Sequence, residues 1–201
     1  HRDLHSFPTR RSSDLKGVPG WAANVFQVKD YADEEIESIG FYTTDNNSKY
    51  EIYVFDLGTE KPSSPVPASF EQIELLVMGE QAFMGYHTIK LDTPFVVKAG
   101  HYFSVVMKSV TPLFDSPIAM ECEKDNSSYP VINEGESYFV GGPDTIPNSE
   151  QWTDGTLFAK PRNACIKAFT KKTPIDITNE NGEAISFDNY QVLFLSLNYY
   201  P

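Results

Sequence analysis

Tyr50–Phe55 reads YEIYVF and Tyr102–Met107 reads YFSVVM. Apolar side chains recur in both runs with a period of two, the repeat of a strand whose successive side chains point to opposite faces. In the first run Tyr50, Ile52 and Val54 share one face, while Glu51, Tyr53 and Phe55 share the other. In the second, Phe103, Val105 and Met107 lie together. Two further runs repeat the pattern. Gln72–Val77 (QIELLV) turns Ile73, Leu75 and Val77 inward and Gln72 and Glu74 outward, and Ala164–Phe169 (ACIKAF) sets Ile166 and Ala168 opposite Cys165, Lys167 and Phe169. Shorter strand candidates are Ala23–Val28, Ile36–Thr43, Tyr86–Leu91, Phe95–Val97, Ile118–Glu123 and Ser137–Val140.

Turn residues fill the intervals. Asp45-Asn46-Asn47-Ser48 suits a tight connection, because Asn and Asp tolerate positive φ and bond to their own backbone; Lys98-Ala99-Gly100 is a second turn. Lys61–Pro67 (KPSSPVP) holds three prolines, which cannot donate to a strand ladder, so it reads as a loop. Gly141–Trp152 reads as a second long loop, and no segment carries a capped amphipathic helix. About ten short strands at intervals of roughly 8–15 residues predict an all-β chain, a two-sheet antiparallel sandwich of jelly-roll kind.

The chain has 28 acidic and 16 basic side chains and a net charge of −12. Such a surface repels a phosphate backbone, which argues against a nucleic-acid partner. No run approaches the roughly 18 apolar residues of a membrane-spanning helix. Residues 1–15 (HRDLHSFPTRRSSDL) show neither strand nor helix periodicity and carry three of the four arginines. They resemble translated sequencing-adapter sequence and lack the apolar core of a secretory signal. Without them 13 basic and 26 acidic residues remain, a net charge of −13. The expectation is that the natural N-terminus lies elsewhere, that the sandwich occupies residues 16–172, and that residues 173–201 form a linker. Within that linker Gln191–Leu197 (QVLFLSL) has three readings: an extra strand, the first strand of a truncated next domain, or a faulty gene-model end.

Catalytic chemistry finds little to work with. Beyond residue 15 the histidines are His87, at a strand start, and His101, after the Gly100 turn. Cys122 lies between Glu121 and Glu123, whose charges oppose thiolate formation, and Cys165 lacks the sequence that surrounds a papain-type nucleophile. No Gly-x-Ser-x-Gly elbow occurs, and the carboxylates scatter as solvated acids do. The two cysteines could instead pair with each other, a bridge worth about 3–4 kcal/mol in the chain-entropy model.

Binding chemistry has more candidates. Calcium takes six to eight oxygen ligands from loops, and Asp45, Asn46, Asn47, Asp115, Glu121, Asp125 and Asn126 are available. Glu121 interrupts an apolar run (Pro117–Met120, PIAM) in a strand expected to be partly buried. A carboxylate so placed must turn outward or meet a cation. Calcium shared with Asp45 or Asn47 would satisfy it, and so would an ion pair with Lys167 or Lys108. Asp176–Glu183 has its glycine one place too late for an EF-hand loop. Sugar binding needs aromatic faces beside polar groups. Trp21, Trp152, Tyr31, Tyr53, Tyr129 and Tyr138 are the candidates, and Tyr53 and Phe55 are singled out because they share the polar face of their strand.

Eight blocks occur in order: Ala22–Phe26, Glu37–Thr44, Tyr50–Val54, Gly85–Ile89, Ala99–Val106, Ser116–Glu121, Gly135–Phe139 and Cys165–Thr170. Together, from Trp21 to Thr170, they resemble the lectin-like domain that follows the catalytic domain in papain-like cysteine peptidases of prokaryotic cell surfaces. The stretch Lys61–Val77 is longer than that family leads one to expect. The resemblance implies a jelly-roll sandwich, an extracellular or cell-surface setting, a structural calcium in some members, and an adjoining peptidase domain in the parent chain. It implies a non-catalytic accessory module; the reading adopted is that this module binds carbohydrate or cell-wall polymer, with Tyr53, Trp152, Tyr129 and Tyr31 as the candidate residues. A protein-binding module of adhesin or fibronectin-like type is the alternative, and a small hydrolase with an unrecognised site is the third reading.

Overall fold

The structure is a computed structural model and describes residues 17–29, 32–69, 75–122, 131–173, 177–178 and 184–185. Up to Lys172 it contains eleven strands: β1 Gly20–Gln27, β2 Glu34–Thr43, β3 Ser48–Gly58, β4 Leu75–Gln81, β5 Gly85–Val97, β6 Tyr102–Val110, β7 Met120–Cys122, β8 Ser137–Gly141, β9 Thr153–Asp154, β10 Arg162–Ala164 and β11 Ile166–Lys172. A small hairpin, β12 Ile177–Thr178 with β13 Ala184–Ile185, follows. The only helical segment among the described residues is the 3-10 turn Gly155–Leu157. Gln191–Leu197 lies outside the described residues.

The large sheet has the order β4-β3-β6-β1-β8-β9, and the small one β11-β2-β5; β7 and β10 pair separately. Each of these pairings is antiparallel. The inward face of the large sheet supplies Tyr50, Ile52, Val54, Phe103, Val105 and Met107 to the main core. The small sheet answers with Ile36, Ile39, Phe41, Leu91, Val97 and Ile166. These are the positions that the period-two pattern assigns to the inside of β3 and β6, so the two-sheet sandwich stands.

The outward face of the large sheet is the main correction. Glu51, Tyr53 and Phe55 look like a solvated face in sequence, yet Tyr53 is 9% exposed and Phe55 is buried too. Trp21, Ala23, Val25, Val106 and Tyr138 join them in a second core, with Trp152 packed against it. The two long loops provide the cover. Pro65 and Val66 of the proline loop are buried, and the Ser104 hydroxyl donates to the Pro65 carbonyl. Ile146 and Trp152 close the other side.

Strand boundaries shift for identifiable reasons. Residues 70–74 lie outside the described part, so only the end of the Gln72–Val77 run is seen, in a strand that continues to Gln81. A bulge pairs Ile52 with Val77 and Tyr53 with Leu75. The extra residue Leu76 breaks the alternation, and Leu75 is exposed. Tyr86–Leu91 and Phe95–Val97 are one strand, whose register jumps where Ile36 meets Phe95 and Ser38 meets Lys90. Ala164–Phe169 divides at Cys165, because β10 pairs with β7 whereas β11 pairs with β2. The Asp45–Ser48 turn forms as read, with Asn47 at φ 52°.

Candidate functional site

The small sheet buries one face and shows the other to solvent. Along β2 the side chains of Ile36, Ile39, Phe41 and Thr43 are buried, which turns Gly40 and Tyr42 outward. Tyr42 lies opposite Tyr86 of β5 in register. Their ring centroids are 5.0 Å apart at 55°. Phe169 of β11 completes a trio around Gly40. A Cβ built on Gly40 would lie 2.3 Å from the Tyr86 hydroxyl and 3.0 Å from Phe169 Cε2, so the missing side chain leaves room for the rings to lie over the sheet. Tyr42, Tyr86 and Phe169 remain 44%, 43% and 43% exposed. Thr88, Lys90 and Lys167 are exposed on the strands beside them and provide polar groups. Apolar rings with adjacent donors are what a pyranose face and its hydroxyls require. None of the three aromatics was singled out by sequence reasoning. The available signal was Tyr42 in Gly40-Phe-Tyr-Thr43, at a position alternating with the core residue Phe41.

The aromatics chosen from sequence fare differently. Tyr53 is not available for stacking: its hydroxyl donates to Glu51 Oε2 at 2.7 Å beneath the loop cover. Burial, then the Glu51 carboxylate, holds its ionisation above the ordinary tyrosine range. Trp21 is fully buried, with Nε1 donating to the Pro143 carbonyl at 2.8 Å. Tyr138 is buried as well, and burial pushes its pKa up to about 12. Trp152 is half-buried and packs on the second core; its indole Nε1 is buried without a partner among the described residues. Tyr31 and Tyr129 lie outside the described residues, as do Asp125 and Asn126.

The proposed calcium ligands occupy two settings. Asp45 is a turn residue whose Oδ1 accepts the Asn46 amide at 2.8 Å and whose Oδ2 accepts the Leu113 amide at 2.9 Å. Asn46 Oδ1 accepts the Met84 amide at 2.9 Å, and Asn47 occupies the left-handed backbone region. Glu121 is exposed, contrary to the partly buried position expected for it. Its strand β7 is three residues long and, among the described residues, pairs only with β10, which puts Glu121 opposite Asn163. Lys108, offered as its ion-pair partner, instead meets Glu51 at 3.1 Å. No group of three or more His, Cys, Asp or Glu side chains among the described residues is spaced to hold a metal ion.

The disulfide expectation is also corrected, since Cys122 and Cys165 are not bridged. Cys122 pairs with Arg162, three residues before Cys165. At about 3.3 Å per residue this offset separates them by about 10 Å, whereas a bridge needs Cα atoms within about 7 Å. Burial, and secondarily the Glu121 charge, pushes the Cys165 thiol up to about 11, which leaves almost no thiolate at neutral pH. The histidines serve the fold. His87 Nε2 lies 3.0 Å from the Thr43 hydroxyl and the Phe83 carbonyl, and His101 Nδ1 is 2.8 Å from Asp56 Oδ1.

The fold and the site define a two-sheet antiparallel sandwich that shows an aromatic face to solvent. The chain belongs to the lectin-like domain family, whose model matches residues 12–170; this domain class is non-catalytic. Among solved structures it is similar to the clostridial cysteine protease Cwp84 after propeptide cleavage, at 23% identity and a TM-score of 0.60, covering 77% of this chain and 36% of that one. It is also similar to the cysteine protease and lectin-like domains of Cwp84, a surface layer associated protein of Clostridium difficile. That match has 24% identity and a TM-score of 0.60, covering 77% of this chain and 32% of that one. At these identities the likeness establishes the fold. No curated protein matches the chain.

Proposed function

We propose that this chain is the accessory module of a cell-surface cysteine protease and that it holds cell-wall carbohydrate on the outer face of its small sheet. The observation that carries the reading is the trio Tyr42, Tyr86 and Phe169, exposed around Gly40 in a domain of the lectin-like family. The description of Cwp84 as surface layer associated supports an extracellular setting. The fragment itself has no peptidase or glycosidase activity in this reading. The test is co-sedimentation with insoluble bacterial cell-wall polysaccharide. Wild-type protein is retained, and the Tyr42→Ala/Tyr86→Ala double variant loses at least about tenfold in affinity, roughly 1.4 kcal/mol. Failure of the wild type to bind, or equal retention of the variant, refutes the reading.

A second reading, protein docking, has its own surface. Phe83 and Leu113 are 77% and 70% exposed, with Met84 and Phe114 beside them in sequence and also exposed. Asp45 and Asn46 tie the two loops together through the Leu113 and Met84 amides. The Gly17 amide donates to the Thr111 carbonyl at 3.0 Å, so the polypeptide enters the domain beside this apolar tip. A peptidase domain preceding the module would meet the tip first. Binding of a separately produced peptidase domain by the wild type and not by Phe83→Ser/Leu113→Ser, with no retention of the wild type on polysaccharide, would favour this reading over the first.

A further inference from the structure

Arg162 is the only arginine in the chain beyond residue 11. It begins β10 and lines an 820 Å³ cleft whose walls come from Gly17–Trp21, Asp115–Ile118, Gly141, Gly142 and Asp144. This size falls within the roughly 300–1,000 Å³ of small-ligand pockets. The guanidinium lies 4.4 Å from the Phe158 ring centre. Phe158 meets Phe139, which is buried in the main core, edge-on at 5.6 Å. The cation therefore sits on a rigid aromatic support.

Its hydrogen bonds are few and weak. Nε reaches the Lys160 carbonyl at 3.4 Å and Nη1 reaches Met120 Sδ at 3.4 Å. The ion pairs among the described residues are Lys98–Asp33, His101–Asp56 and Lys108–Glu51, and none of them includes Arg162. A guanidinium has five N–H donors in a planar fork that matches a carboxylate, and the strong bonds of that fork are bidentate. The Arg162 fork lies over the Phe158 ring and has no anion paired with it among the described residues, in a chain where acids outnumber bases 28 to 16.

The rest of the lining narrows the choice of anion. Asp115 and Asp144 line the same cleft. Two carboxylates there disfavour a phosphate or any polyanion drawn deep into it, but they accept hydrogen bonds from hydroxyl groups. One carboxylate for the arginine and hydroxyls for the aspartates describe a sugar acid. We infer that this cleft is a binding site for a carboxylate-bearing sugar, with Arg162 as the carboxylate fork. The site is separate from the aromatic face of the small sheet and does not depend on what that face binds.

Calorimetric titration of the 201-residue chain with monomeric galacturonate and with its methyl ester tests this. The two probes share every hydroxyl and differ in the carboxylate. The wild type is expected to prefer the acid by about tenfold or more. Arg162→Gln removes the preference, Arg162→Lys retains part of it, and Tyr42→Ala/Tyr86→Ala leaves it unchanged. Should the Gln variant not fold, the Lys variant, which keeps the charge and the apolar stem, decides. Equal affinity of the wild type for acid and ester, no binding of the acid, or an undiminished preference in Arg162→Gln or Arg162→Lys would overturn the inference. Cell-wall retention measured alongside reports on the aromatic face independently.

Discussion

Asn24 joins the large sheet to the point where the chain passes from β10 to β11, and its removal is a direct test of how the sandwich is closed. The side chain is 5% exposed. Its Nδ2 donates to the Ala164 carbonyl at 2.9 Å and to the Ile166 carbonyl at 3.1 Å. The neighbouring Ser137 hydroxyl accepts the Ala164 amide at 2.8 Å. Asn24→Ala removes the side-chain donor from two carbonyls, at about 1–3 kcal/mol each. Because one amide group serves both, the joint cost is about 2–4 kcal/mol, a large share of the 5–15 kcal/mol typical of a domain. With a slope of about 2 kcal/mol/M, the urea midpoint falls by about 1–2 M. Asn24→Asp sharpens the test by aiming an acceptor at two acceptors. Burial beside carbonyls raises the folded-state pKa of that carboxyl above its unfolded value. The penalty is therefore complete at pH above the folded pKa and shrinks as pH falls toward the unfolded one. Urea titrations at neutral and acidic pH provide the measurement. An alanine variant within 0.5 kcal/mol of wild type, or an aspartate variant whose deficit does not shrink in acid, would refute this account of the junction.

Three other outcomes follow from the same geometry. Gly155→Ala would place a Cβ 2.1 Å from the Arg162 backbone carbonyl, so thermal melting should reveal a loss of about 1–3 kcal/mol; an unchanged melting temperature contradicts the packing. Thiol titration of the denatured, unreduced protein should count two free thiols, and in the folded state Cys165 should resist alkylation until the pH nears its raised pKa of about 11. Rapid labelling of Cys165 at neutral pH would show that its burial is misjudged. Asp33, held below the ordinary carboxylate range by the Lys98 ammonium at 2.7 Å and the Ala99 amide, contributes stability that is present above its unfolded pKa and lost as pH falls through the folded one. Asp33→Asn should accordingly flatten the acid limb of the stability curve, and an unaltered limb would exclude that role.

Period-two alternation was legible because it is a property of a single strand. Tyr50, Ile52 and Val54 face the core wherever β3 is placed, and Phe103, Val105 and Met107 do the same in β6. The turns at Asp45–Ser48 and Lys98–Gly100 were legible for a similar reason, since positive φ is a local requirement met at Asn47 and Gly100. What covers the second face of a strand is not local. Tyr53 and Phe55 alternate correctly, yet their burial depends on Pro65 and Val66 folding back from a loop with no periodicity of its own. The distance between Cys122 and Cys165 depends on a register in which Arg162 lies opposite Cys122. Tyr42, Tyr86 and Phe169 lie on three strands far apart in sequence and become one surface only when β5 and β11 flank β2 and Gly40 leaves room between the rings. The sequence alone determined the all-β character and the inner faces of β3 and β6, because backbone sterics and side-chain alternation act within a few residues. Tertiary structure decided which outer face stayed open to solvent, because that depends on which strands become neighbours and on where two irregular loops come to rest.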